Sequence, residues 1–121
     1  MEIKEGMYIR TREGIRKITD IWEDMYELNR DLHNRYPEGH CLFKEDIDEV
    51  LLAEPSFDII DVIEPGDYVN GYRVINAGYN KYDEWCVSIE KYEPVECCIY
   101  PHLIETIVTK EQFAAMAYEV K

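Results

Sequence analysis

The chain has 121 residues, with 26 Asp plus Glu against 13 Lys plus Arg and a formal net charge of −13. That balance argues against direct contact with nucleic acid or anionic lipid, both of which are bound chiefly through Lys and Arg. With 46% hydrophobic and 12% aromatic residues the chain is too apolar for a disordered acidic tail, and its length suits one domain or two very small ones.

In chain order, Met7 to Arg10 and Ile15 to Trp22 are rich in β-branched and aromatic residues and read as strands, joined across Thr11-Arg12-Glu13-Gly14. Met25 to Leu32 reads as a third strand, Cys41 to Phe43 as a fourth, Glu45 to Glu49 as a helical turn and Val50 to Ala53 as a fifth strand. Pro55-Ser56 ends this unit, and the dense apolar run Phe57 to Ile63 reads as a strand shared with the second half of the chain.

That second half repeats the first. Ile3 to Ile9 aligns with Ile63 to Val69, and Gly14 to Ile18 aligns with Gly71 to Ile75. Carried on without a further gap, the second alignment sets Glu27 on Glu84, Pro37 on Pro94, Cys41 on Cys98 and Ile47 on Ile104. The turn shortens to Asn70-Gly71, a strong hairpin signal because both central residues of a type I′ turn need positive φ. Glu84 to Ile89, Cys97 to Tyr100, the turn Pro101 to Glu105 and Ile107 to Thr109 complete the second set. Five short strands with a helical turn before the last is the pattern of a small SH3-like barrel. The expected fold is therefore mainly β: two tandem SH3-like barrels packed as one body, one over residues 1–56 and one over 57–121. Thr109 with Gln112 three residues on makes a capping box for one short C-terminal helix, with Phe113, Ala114 and Met116 as its packing face. Ala117 to Lys121 alternates and reads as a last strand.

Three stretches carry a resemblance. Gly6 to Thr11 with Gly14 to Ile18, Asp58 to Gly71, and Ile107 to Phe113 resemble small proteins encoded by phages and prophages of Gram-positive gut bacteria. The resemblance implies a mobile-element origin and an SH3-like barrel, and it implies no reaction.

No secretory signal opens the chain and no apolar run is long enough to span a membrane, so a cytoplasmic protein with reduced thiols is expected, within the host of the mobile element. His40-Cys41, Cys97-Cys98 and His102 offer soft ligands, but Cys-x-x-Cys and His-x-x-x-His spacings are missing. No metal or other cofactor is expected, and Cys41 and Cys98 read as small core residues. His33, His40 and His102 lie in no nucleophile context and no phosphate-cradling loop is present, so the chain does not read as an enzyme.

What remains is charge. Between Glu45 and Tyr72 lie nine acids and no Lys or Arg: Glu45, Asp46, Asp48, Glu49, Glu54, Asp58, Asp61, Glu64 and Asp67. Glu23, Asp24, Glu27 and Asp31 form a second group, and Asp83, Glu84, Glu90, Glu93 and Glu96 a third. Such a band serves solubility, or it matches a basic groove by setting carboxylates where phosphates would lie. Trp22, Tyr26, Tyr36, Tyr82, Trp85 and Tyr92 stand near the loops, and aromatic anchors rimmed by charge are common at interfaces. The expected partner-binding set is Asp46, Asp48, Glu49, Asp58, Asp61 and Glu64, with Trp22 and Trp85. The expected partner is a host defence protein with a basic groove, such as a CRISPR nuclease, bound by a monomer or homodimer. Two other classes stay open: a binder of a small nucleotide signal through Arg10, Arg12, Arg16 and Arg73, and a phage assembly adaptor.

Overall fold

A computed structural model describes residues 2–29, 40–90 and 97–119, apart from the side chains of His40, Cys97 and residues 115–119. Pro37, Pro94, Asp31, His33, Tyr36, Tyr92, Glu93 and Glu96 lie outside the described residues, as does the end of the expected third strand. Among the described residues no helix is long and apolar enough to cross a membrane.

The fold is mainly β, in two antiparallel sheets. Strands β1 (Tyr8–Thr11), β2 (Gly14–Ile21), β3 (Met25–Leu28) and β4 (His40–Phe43) pair in chain order. A 3₁₀ turn over Lys44–Asp46 runs into the single-turn helix α1 (Ile47–Val50). The second sheet holds β5 (Tyr68–Val69), β6 (Tyr72–Tyr79), β7 (Trp85–Ile89), β8 (Cys97–Ile99) and β9 (Ile107–Val108), in the order β8-β7-β6-β5-β9. Helix α2 (Lys110–Glu119) closes the described chain.

Local chemistry explains the boundaries that the sequence predicts. Asn70 and Gly71 both take positive φ, 52° and 84°, so the two-residue turn matches the twist of its strands. Thr109 Oγ1 accepts from the Gln112 amide at 3.2 Å, and Gln112 Oε1 accepts from the Thr109 amide at 3.0 Å, closing the capping box.

Three expected strands are something else. Phe57 to Ile63 is not a shared strand: Ile59–Val62 forms a 3₁₀ turn capped by Asp58, whose Oδ1 accepts from the Ile60 amide at 3.1 Å. An Asx side chain offers the backbone a local partner and so competes with a ladder. The run is nonetheless core, with Ile60, Val62 and Ile63 buried. Val50 to Ala53 is not a strand either. Val50 ends α1, and the segment keeps one ladder-like bond, from the Leu52 amide to the Arg10 carbonyl at 2.9 Å. Pro55 then removes a donor. The first sheet therefore has four strands. Ala117 to Glu119 belongs to α2, where alanine-rich sequence favours helix over an alternating strand. Phe113 is largely exposed and stacks on Tyr68 at 5.1 Å rather than filling a core.

The two sets of ladders agree in register. Gly6 donates to the Ile18 carbonyl and Ile18 to that of Met7, just as Gly66 donates to Val74 and Val74 to Asp67. The bulge between Ile18 and Asp20 recurs between Val74 and Asn76. Glu27 faces Cys41 as Ser88 faces Cys98. Glu27 thus corresponds to Ser88, not to Glu84 as an ungapped alignment has it.

Two cores result. Ile9, Ile18 and Leu28 form the smaller, joined by Ile21, Tyr26, Leu42 and Leu51. The larger is built on Val62, Val69, Val74, Val87 and Ile89, and it includes Ile15 from β2. The β1–β2 hairpin thus reaches into the second half.

Candidate interaction surface

The expected acidic band divides in two. Glu45, Asp48 and Glu49 are exposed and Asp46 half-buried on the turn through α1, which buries only Ile47. Among the described residues none of these four carboxylates makes an ion pair. Glu54 is exposed and makes no ion pair among the described residues, whereas the acids from Asp58 onward have partners inside the chain. Asp58 caps the 3₁₀ turn and accepts from the Trp85 indole N–H. Asp61 accepts from the Ser56 hydroxyl. Glu64 pairs with Lys110 at 2.8 Å and lies 3.4 Å from Arg10 Nε. The structure therefore brings Asp46, Asp48 and Glu49 together, and joins Asp58 to Trp85 elsewhere.

Asp67, the last of the nine, is wholly buried and holds the two halves together. Its Oδ2 accepts from Arg10 Nη1 at 2.6 Å and the Glu64 amide at 2.8 Å. Its Oδ1 accepts from Arg10 Nη2 at 2.7 Å and the Lys110 amide at 2.9 Å. Arg10, equally buried, also donates to Glu111 at 3.1 and 2.7 Å and to the Val62 carbonyl at 2.9 Å. Burial alone would lower the Arg10 pKa; hydrogen bonds and charge from Asp67 and Glu111 outweigh it and hold the guanidinium above its ordinary value. The sequence offers Arg10 as a contact for an anionic ligand, but in the fold its donors are committed.

The first sheet presents an open face. Residues directly opposite on an antiparallel ladder point the same way. The Trp22 amide bonds the Met25 carbonyl at 2.8 Å, and Met25 faces Phe43. Trp22, Met25 and Phe43 thus make one apolar row, with Trp22 55% and Phe43 49% exposed. The next row on that face is Asp20, Glu27 and Cys41. Glu23 and Asp24 form the turn between Trp22 and Met25, and Glu45 lies two residues beyond Phe43. Ile21, Tyr26 and Leu42 point the other way, into the core. Cys41 is exposed on this face rather than buried as expected, because position 41 shares the parity of Phe43.

The second aromatic site is the β6–β7 hairpin. Tyr79 packs on Trp85 at 4.8 Å, and Tyr82 is exposed under Lys81. Asn80 shapes the turn: its Oδ1 accepts from the Tyr82 amide at 2.8 Å and the Glu84 amide at 3.0 Å. Its Nδ2 reaches Cys86 Sγ at 3.5 Å and Cys98 Sγ at 3.2 Å. Burial, then the neighbouring Cys98, pushes the Cys86 thiol up to about 12. Glu84 accepts from the Tyr100 hydroxyl, which holds its carboxyl below the usual range and pushes Tyr100 up to about 12. Sequence reasoning misses Asn80, although an Asn opening Asn80-Lys81-Tyr82-Asp83 is an Asx-turn signal.

A cavity of about 470 Å³ lies in the first half, with Arg12, Arg16, Glu13 and Glu49 around Leu28, Leu42, Val50 and Leu52. Among the described residues no group of three or more His, Cys, Asp or Glu is placed to hold a metal ion. Compared with protein-family models, curated proteins and solved structures, the chain matches none.

Proposed function

We propose that the chain is a phage- or prophage-encoded binding protein that occupies the basic groove of a host nucleic-acid-handling defence effector and so blocks the nucleic acid. It acts in the host cytoplasm, without catalysis or cofactor. One observation carries this reading: Glu45, Asp46, Asp48 and Glu49 share one exposed turn and, among the described residues, have no cation as partner. Like charges so close repel. A basic partner gains long-range steering and charge-assisted hydrogen bonds. The body that carries this turn is two SH3-like modules, residues 1–56 and 57–121, derived from one by duplication. The shared ladder register supports that origin.

The test is affinity capture from host cytosol at about 0.05 M and about 0.5 M salt, where the screening length falls severalfold. A nucleic-acid-handling protein retained only at low salt, and displaced from its nucleic acid by the purified chain, is the expected result. Equal activity of the Asp46→Asn, Asp48→Asn, Glu49→Gln triple variant at low salt would refute the role of this turn. The cavity favours a second reading, a small anionic ligand held near Arg12 and Arg16, with Glu13 and Glu49 opposing it.

A further inference from the structure

The outer faces of the two sheets correspond row by row, and one of them is buried at its centre, although Asn76 at its edge is exposed. The shared register sets Gly78, Cys86 and Tyr100 where the first sheet has Trp22, Met25 and Phe43. It sets Asn76, Ser88 and Cys98 where the first sheet has Asp20, Glu27 and Cys41. On the second sheet this face is inaccessible at its centre, with Cys86 0% and Ser88 3% exposed. The chain itself supplies cover. The β6–β7 turn runs from Asn80 to Glu84, whereas only Glu23 and Asp24 separate Trp22 from Met25. From the longer turn Asn80 reaches the Cys86 and Cys98 sulfurs, and Glu84 takes the Tyr100 hydroxyl. The β2–β3 turn is too short to fold back in this way, and Trp22, Phe43 and Cys41 stand exposed.

We propose that the outer face of the first sheet is a docking surface for a cationic segment of a partner protein, which covers the Trp22–Met25–Phe43 row as Asn80 and Glu84 cover its counterpart. This rests on the basic-partner reading above and adds a second contact, separate from the α1 turn. The occupant presents an apolar side chain between Arg or Lys residues. The apolar row supplies a wide contact with two aromatic rings, which bury large area at small entropic cost. Asp20, Glu23, Asp24, Glu27 and Glu45 surround it with negative charge. Lys44, next to Phe43, lies over the Tyr26 ring at 5.6 Å. A second copy of the chain fits poorly, because it would set these acids against their own kind in a molecule of net charge −13.

The test uses the full chain, labelled with ¹⁵N, and a cyclic hairpin peptide presenting Leu between Arg residues. A control peptide carries Glu in place of Arg. Saturable binding of the Arg peptide is expected, with the largest amide shifts at Asp20, Trp22, Met25, Glu27 and Phe43, and none with the Glu peptide. The Trp22→Ser, Phe43→Ser double variant, at exposed positions, should bind at least about tenfold more weakly, or about 1.4 kcal/mol. The Asp20→Asn, Glu27→Gln variant should weaken binding by an amount that shrinks with salt, which keeps the test open if the first variant folds poorly. Shifts centred on α1 or on the second sheet, or unchanged affinity in both variants, would overturn the proposal. So would self-association of the free chain through the same residues. An effector inhibited equally by wild type and by the Trp22→Ser, Phe43→Ser variant refutes this surface while leaving the inhibitor reading intact. Peptide binding at the row without displacement of nucleic acid from any effector supports the surface and removes the inhibitor reading.

Discussion

Asp67→Asn tests the joint between the halves. The carboxylate accepts four hydrogen bonds, from Arg10 Nη1 and Nη2 and from the Glu64 and Lys110 amides, and neither it nor Arg10 is exposed. Asparagine keeps the shape but turns an NH₂ toward donors and withdraws the charge opposite a buried guanidinium. Breaking one side of a buried pair costs about 3–5 kcal/mol. Glu111 still bonds Arg10, through a side chain 25% exposed, so the loss should fall near the lower bound, about 3 kcal/mol. At a urea slope of about 1.5 kcal/mol per molar, the midpoint should drop by about 2 M. Urea unfolding monitored by tryptophan fluorescence reads this directly. Arg10→Met with Asp67→Leu should be less damaging than the two single changes summed, since it removes both charges together. A loss under about 1 kcal/mol for Asp67→Asn, or plain additivity in the double variant, would show that this cage is not what joins the halves.

Local geometry sets three further outcomes. Gly71→Val should cost about 1–2 kcal/mol in a thermal melt; an added Cβ meets nothing within 4 Å, so the whole effect is strain at φ 84°. Asp58→Asn should lose about 1–2 kcal/mol, because its one amide oxygen can keep the Ile60 cap but then turns an NH₂ on the Trp85 indole N–H, whereas Asp46→Asn with Asp48→Asn should leave stability unchanged or slightly higher; equal effects in urea titration would contradict the division of the acids. The stability difference between wild type and Tyr100→Phe should depend on pH at both ends. Glu84 is held below its ordinary value, so its share is present above roughly pH 4 and lost as pH falls through the lowered value. Tyr100 is held above its own, so its share is full below roughly pH 10 and lost as pH rises through about 12. A difference flat from acid to alkali would contradict the pairing.

Local signals are legible in the sequence, and long-range partnerships are not. Asn70-Gly71 and the Thr109–Gln112 box are chemistry within a few residues, and both stand as expected. Phe57 to Ile63 shows that apolar density reports burial and not backbone form: the run is core, but Asp58 bends it into a 3₁₀ turn. Asp67 reads as surface charge in any window, because its partners Arg10 and Glu111 come from distant segments. The exposure of Cys41 turns on parity in β4, which is set by the register and not by residue type.

Connection lengths explain why the repeat is visible and also misleading. Met7 stands where Asp67 stands, 60 residues on, and Ile18 where Val74 stands, 56 on. Leu28 then matches Ile89, 61 on, and Cys41 matches Cys98, 57 on. The second half gains residues in its β6–β7 turn and gives most of them back before β8. An alignment without gaps therefore returns to register at the cysteines and slips between them. The misaligned stretch is the extra length that carries Asn80 and Glu84. Those residues cover one sheet face, and the short turn at Glu23-Asp24 leaves its counterpart open. Two halves of near-identical ladder register thus diverge in what their outer faces can do through the length of one turn. Matching residue identities alone cannot detect that, because the decisive residues have no counterpart to align with.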